Sequence, residues 1–382
     1  MKKTLALLLV LVMVLALGAC APKAAEPADE TPAEATPATE GTALKVGVFY
    51  YNYGDTYISN VRNSLDGELT ALGVTYQNFD GNNNQTTQNE QIQTAITDGY
   101  NLLVVNQVTS GSSDTAKGII EMAGEIPVIF FNRAIEGEGE DNTILGAYKN
   151  ICFIGTDAPE AGHMQGKMIG DYVLANYDKL DLNGDGTISY AMFKGDEANV
   201  EAIYRTQFGV EDADAIITAA GKPALAYFDA NNTSKYQVDL GGAWSAAAAL
   251  EYMNTNLSQY NAANKNMIEL IICNNDNMAE GCISALNAAG YNTGDEGSTT
   301  IPVFGVDATP SAVELVEAGK MTGTVKQDYD AMAKAIAAMV KATQDGTAMA
   351  DGVTATVATD DMFSVAEGFT NKLFVAYAPY TA

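Results

Sequence analysis

Residues 50–57, YYNYGDTY, gather four tyrosines around one carboxylate, Asp55, directly after a short apolar run. The only tryptophan, Trp244, stands far downstream in GGAWSAAAALEYM. A pyranose has two faces of C–H groups and a rim of hydroxyls, so flat rings stacked on the faces and amides or carboxylates on the rim would hold it. Each buried hydroxyl left without a partner costs about 1–3 kcal/mol, so the polar side chains must be numerous. Asp55, Asn106, Glu201, Arg205, Asn275 and Asp307 supply such groups. The set favours a neutral polyol over an anion.

Other chemistry is poorly provided for. His163 is the single histidine, in GHMQGKM, where it reads as an ordinary surface helix residue and not as a catalytic base. No G-x-S-x-G or G-x-G-x-x-G motif occurs, and GHMQGKM has one residue too few between its glycines for a phosphate loop. No enzyme is therefore expected. Cys152, Cys273 and Cys282 lack C-x-x-C spacing, which disfavours zinc. Cys273 and Cys282 are close enough in sequence to pair, but the apolar run around Cys273 favours buried free thiols. A different signal stands at Asp181-Leu182-Asn183-Gly184-Asp185-Gly186-Thr187-Ile188-Ser189. Oxygens at positions one, three and five, glycine at six, the Thr187 carbonyl at seven and Ser189 at nine read as the opening of a calcium loop. Met192 occupies position twelve, where a glutamate would close the shell, so a helix-loop-helix hand is not expected.

The chain of 382 residues is long enough for two domains; 47% of it is apolar and 18% charged, which argues against disorder over most of its length. Acidic residues number 48 against 20 basic ones, a net charge of −28. Such a surface repels nucleic acid and anionic lipid. Lys2 and Lys3 precede an apolar run from Thr4 to Ala19, shorter than a spanning helix needs, which reads as an export signal over residues 1–19. It closes as Leu17-Gly18-Ala19-Cys20, which resembles the bacterial lipobox and implies lipidation of Cys20. Residues 20–43 hold four prolines among Ala, Thr and Glu, with no large apolar side chain, and read as a tether. The expected location is outside the cytoplasmic membrane, or on the periplasmic side of an envelope membrane, with the lipid as the only membrane contact.

From Leu44 onward, apolar runs alternate with helical spacing: KVGVFY, VTYQNFD, NLLVVN, IPVIFFN, then ICFIGTD, TISYAMF, ALAYFDA, LIICNND and IPVFGVD. This rhythm predicts α/β architecture, with parallel sheets buried on both faces and arranged as two doubly wound lobes. Several strands end on Asn106, Asn132, Asp157, Asn275 with Asp276, and Asp307. In open parallel sheets that edge is where ligands bind, although any one of these residues can equally be a helix cap.

The segments GVFYYNYGDTYISNVR, VNQVTSGS, PVIFFNR, GTDAPEAG, DLNGDGTI, ICNNDNMA and IPVFGVDATPSAVELVEAGKMTGTV occur in an order that resembles the galactose/glucose-binding proteins of ABC sugar importers, from about Lys45 to the C-terminus. The resemblance implies the periplasmic binding protein type I fold, with a hinge of three segments. It places Asp55 as an acidic rim ligand, Tyr57 and Trp244 as stacking rings, and Asn106, Arg205, Asn275 and Asp307 as ligands. Asn199, Glu201 and Gln327 stand where that family usually has histidine, aspartate and asparagine. It also implies calcium held by Asp181, Asn183, Asp185, Thr187 and Ser189, with Glu269 closing the shell as a structural ion.

The expected lobes are residues 44–131 with 328–368, and residues 132–327 with 369–382. Crossings are expected near Asn132, near Val325 to Gln327 and before Leu373. The expected function is capture of glucose or galactose by a monomeric two-lobed trap and its delivery to ABC permease subunits. Three alternatives stay open on the sequence: a pentose, a signalling furanose, or a loaded form read by a chemoreceptor.

Overall fold

The structure, a computed structural model, describes residues 43–137 and 143–382. The expected signal segment, Cys20 and all of the tether but Ala43 lie outside the described residues.

The first half alternates without exception: β1 (Lys45–Tyr50), α1 (Thr56–Leu72), β2 (Thr75–Asp80), α2 (Gln85–Thr97), β3 (Leu102–Val105), α3 (Ser113–Ala123), β4 (Val128–Phe131), α4 (Thr143–Ala147) and β5 (Ile151–Gly155). The pattern continues as α5 (Ala158–Leu180), β6 (Ser189–Lys194), α6 (Val200–Ala219), β7 (Ala226–Tyr227), β8 (Gln237–Val238), α7 (Ala246–Gln259), β9 (Leu270–Cys273), α8 (Asp276–Ala288), β10 (Val303–Asp307), α9 (Pro310–Glu317) and β11 (Gly323–Gln327). It closes with α10 (Tyr329–Gln344), α11 (Met349–Val357), β12 (Phe363–Val365), β13 (Lys372–Val375) and β14 (Tyr377–Tyr380).

Two seven-stranded sheets result. One runs β2-β1-β3-β4-β5-β13-β12; the other runs β7-β6-β9-β10-β11-β14, with β8 also on β6. Among the described residues, every pairing is parallel except β12 with β13 and β14 with β11. Both faces of each sheet are buried, because strand side chains alternate sides. Val46, Val48, Leu102 and Val104 enter one core with α1 and α10, while Phe49, Leu103 and Val105 enter another with α2 and α3. The second sheet divides likewise: Ile271 and Cys273 face α7 and α8, and Leu270 and Ile272 face α5 and α6.

The chain crosses between lobes three times, but two crossings fall elsewhere than the sequence suggested. Asn132 does not leave the first lobe, because β5 continues the first sheet, with Val128 opposite Ile151 and Phe131 opposite Ile154. The first crossing follows β5, at Thr156 and Asp157. The second follows Gln327, where the chain leaves β11 and enters α10. Leu373 also stays in the first lobe, since β13 pairs with β5. The third crossing is therefore at Ala376, between β13 and β14. An apolar run announces a strand; its sheet depends on pairing with a distant partner, which local pattern does not carry.

His163 lies within α5, half-exposed, with Nδ1 2.7 Å from Asp212 and its ring stacked on Phe208. Cys273 and Cys282 are buried free thiols whose sulfurs are 3.9 Å apart.

Candidate ligand-binding site

The C-terminal ends of both sheets face a shared, narrow cleft of about 40 Å³. Tyr51, Asp55, Tyr57, Asn132 and Arg133 line it from the first lobe; Asn199, Glu201, Arg205, Trp244, Asn275, Asp307 and Gln327 line it from the second. Nine of the ten residues expected at a sugar site thus converge. Asn106 does not reach the cleft. It is consumed one layer behind, where Oδ1 accepts from the Tyr51 amide at 3.2 Å and Nδ2 donates to Phe131 O and Asn132 Oδ1 at 3.1 and 3.2 Å.

Helix starts position much of the set. Asp55 caps α1 by accepting from the Ile58 amide at 2.9 Å, and its other oxygen accepts from the Tyr51 hydroxyl at 2.5 Å. Asn199 caps α6 and Asn275 caps α8. The capping and lining roles are therefore held by the same side chains, since a cap's remaining polar atoms face the strand-end cleft. Asn275 also donates to the Trp244 carbonyl at 3.2 Å. That bond helps fix Trp244 at φ 55°, a left-handed conformation uncommon for a bulky residue. Asn132 at φ 61° and Asp307 at φ 124° sit in the same sparse half of backbone space. Strain of this sort persists only where surrounding contacts over-determine it, and here it gathers around one cleft. Gly195 explains the depth of Trp244, because a Cβ there would fall inside the indole ring.

Electrostatics come from a buried network. Arg205 pairs with Glu201, donates to Asn274 O at 2.9 Å and Gln327 Oε1 at 3.0 Å, and meets the Tyr377 hydroxyl at 3.1 Å. Tyr377 in turn donates to Thr156 at 2.9 Å, and Thr156 donates to Glu201 at 2.8 Å, which ties the cleft floor to the first crossing. Burial pushes the Asp307 carboxyl well above the usual carboxylate range, against the pull of Arg205. Burial raises Asp55 too, opposed by the Tyr51 hydroxyl. Five buried polar atoms of lining residues have no hydrogen-bond partner: Tyr57 Oη, Arg133 Nη2, Arg205 Nε, Trp244 Nε1 and Gln327 Nε2. Unpaired buried groups of this kind are rare, and together they form a ready set for a hydroxylated ligand.

The lobes are closed on each other. Asn83 Nδ2 donates to Gly241 O at 2.5 Å, and Arg133 faces Asp196 at 3.5 Å across the cleft mouth. Arg133 also stacks 3.7 Å above the Tyr51 ring. Tyr51, Asn132 and Arg133 were not singled out as ligands. The available signal was the polar break after IPVIFFN, which marked Asn132 as a strand end.

The loop before β6 sits away from this cleft. Gly184 and Gly186 take φ 74° and 84°, and the Asp181 carboxylate accepts from the amides of Gly184, Asp185 and Gly186 at 2.8 to 3.0 Å. Glu269, fully buried, accepts from Leu182, Asn183 and Ser189, and burial raises its pKa. An oxygen-only donor set with a buried carboxylate fits a hard divalent cation. As arranged here the carboxylates are turned onto loop amides, and among the described residues no three His, Cys, Asp or Glu side chains converge as a metal group.

A two-lobed α/β clamp with its polar strand ends facing a shared cleft is an architecture suited to enclosing a small solute. Residues 46–348 match the model of the periplasmic binding protein domain, and the chain belongs to that family. It is similar to the D-galactose/methyl-galactoside binding periplasmic protein MglB of Haemophilus influenzae, 31% identical over 309 residues, which are 81% of this chain and 84% of that protein. Its fold is similar to the crystal structure of a Caulobacter myo-inositol binding protein bound to myo-inositol, with TM-score 0.63 at 22% identity, covering 91% of this chain and 96% of the other. A Clostridium phytofermentans ABC transporter solute binding protein with bound β-D-glucose gives TM-score 0.64 at 19% identity, covering 88% of this chain and 94% of the other. The family acts outside the cytoplasm. Among the described residues no helix is long and apolar enough to cross a membrane.

Proposed function

We propose that the protein captures a neutral hexose, glucose or galactose, between its lobes and delivers it to an ABC permease. One observation carries the reading. Tyr57 from one lobe and Trp244 from the other line a single closed cleft whose buried donors lack partners. Two rings can cover the C–H faces of a pyranose, while Asp55, Asn199, Glu201, Arg205, Asn275, Asp307 and Gln327 take its hydroxyl rim. Arg133 and Arg205 face three carboxyl groups, Asp55, Glu201 and Asp307, which leaves no surplus of positive charge for an anion. The likeness to a galactose/methyl-galactoside binding protein supports a hexose over a pentose or furanose.

Closure follows from the contacts. Only the closed form offers both lobes' groups to one ligand, so the sugar stabilises it by its differential affinity. The closed outer surface is then what a permease reads, and a chemoreceptor could read the same surface. Calorimetry with glucose, galactose, arabinose and myo-inositol tests the cargo. The account expects heat and saturation with at least one of the two hexoses; silence with both would overturn it.

Calcium at Asp181, Asn183, Asp185, Thr187, Ser189 and Glu269 belongs to the same proposal, with the ion joining the α5–β6 loop to the start of β9. When bound, it would neutralise carboxylates that otherwise repel. At about 100-fold excess over its dissociation constant, a folded-state ligand adds about 2.7 kcal/mol of stability. Chelation is thus expected to lower the melting temperature by several degrees in the wild type and not in Glu269→Gln; an unchanged melting temperature would remove calcium from the account. The lipid on Cys20 is proposed likewise, and fatty-acid labelling lost in Cys20→Ser would test it.

A further inference from the structure

A second cavity, of about 240 Å³, opens beside the first crossing at Thr156 and Asp157. Ile135, Glu136, Phe153 and Phe374 wall it from the first lobe, Val200 and Tyr204 from the second. Asn132 and Glu201 belong to the walls of both cavities. The two cavities therefore adjoin, with these two side chains between them.

The walls repeat the chemistry of the first cleft. Phe153, Phe374 and Tyr204 offer aromatic surface, and Lys372 lies 5.8 and 5.2 Å from the Phe153 and Phe374 ring centres. The polar handle is Glu136, only 5% exposed. Its Oε1 accepts from the Thr143 hydroxyl and the Ile144 amide, each at 3.1 Å, while Oε2 has no partner. The Lys372 ammonium attracts this carboxylate, and a ligand hydroxyl would complete the hydrogen bonding of Oε2.

We infer that the second cavity is a subsite for a second sugar ring, so that the cargo class extends from hexoses to disaccharides with one ring in each cavity. The inference rests on the hexose reading of the first cleft and adds the residues that would hold the second ring: Glu136 as hydroxyl acceptor, Phe153 and Phe374 as its aromatic walls.

Calorimetry of the whole protein with maltose, cellobiose, lactose and melibiose, beside glucose and galactose, tests it. At least one disaccharide is expected to bind about tenfold or more tighter than its parent hexose, and Glu136→Gln to cancel that gain while leaving hexose affinity within about twofold. Ala158→Leu, which fills the cavity from the start of α5, is expected to do the same and guards against a Glu136 variant that fails to fold. Hexose binding with no disaccharide binding more tightly, or disaccharide affinity indifferent to both variants, would overturn the inference alone. Binding of no sugar at all would overturn the reading of the first cleft and this inference with it.

Discussion

At the scale of single residues, Trp244 carries the most consequence. Its backbone is held left-handed by Asn275, its ring packs over Gly195, and the Arg205 guanidinium lies 5.7 Å from the ring centre. Aromatic anchors in desolvated pockets commonly account for about 2 kcal/mol or more of binding. Trp244→Ala is therefore expected to weaken hexose binding by at least about tenfold. Gly195→Ala is a subtler probe: the added Cβ displaces the indole, so intrinsic fluorescence should shift without sugar and its response to sugar should diminish. Much of this was legible beforehand, because a lone tryptophan and strand-terminal Asn and Asp residues are visible without coordinates. Tyr51 and Arg133 were not, since their roles come from stacking on each other at the ends of β1 and β4. Asn106 looked like a ligand for the same reason as Asn275; only the structure shows its amide spent on the backbone of the neighbouring strands.

At the scale of elements, α5 and α6 act as one platform. Gly162, Gly166 and Gly170 recur every four residues on α5, and a Cβ on any of them would strike α6 at the Tyr204 carbonyl, the Phe208 carbonyl or the Ile216 side chain. Residues four apart share a helix face, so the stripe lets α6, which carries Glu201 and Arg205, lie close. Gly166→Ala is expected to cost about 1–3 kcal/mol, read as a lower denaturation midpoint, and to weaken sugar binding through displaced Arg205. The stripe was visible in GHMQGKMIG but says nothing of its partner until α6 is placed. The β9–α8 junction makes a second prediction. Asp276 is fully buried, accepts from Thr324 Oγ1 and the Thr309 amide, and lies near Asp307, Glu280 and Arg205. Burial pushes its carboxyl up to about 7. Unfolded, it ionises near pH 4, so between roughly pH 4 and 7 the folded state binds the extra proton. Stability should thus fall as pH rises through that window and level off above it. Asp276→Asn should flatten the slope in thermal melts; an unchanged slope would mean that other groups set it.

At the scale of the molecule, the two halves share one construction: parallel sheets buried on both faces, with ligand-side loops at the strand ends. That construction was legible because buried parallel strands read as continuous apolar runs, and helices between them keep their spacing. The crossings were half legible. One crossing follows Gln327; β5 joins the first sheet beside β4, and β13 joins it through β5, a partner some 220 residues away in sequence, with Lys372 opposite Phe153 and Phe374 opposite Gly155. The site lies between lobes that touch through Asn83 with Gly241 and Arg133 with Asp196. Opening the hinge separates these pairs and pulls Tyr57 away from Trp244, which is why occupancy and closure must be linked. The most direct measurement is a crystal structure grown with the hexose that calorimetry selects. The account predicts a single pyranose between the Tyr57 and Trp244 rings, with hydroxyls on Asp55 from one lobe and on Arg205, Asn275 and Asp307 from the other. A sugar held by one lobe alone, or lying outside the cleft, would contradict it.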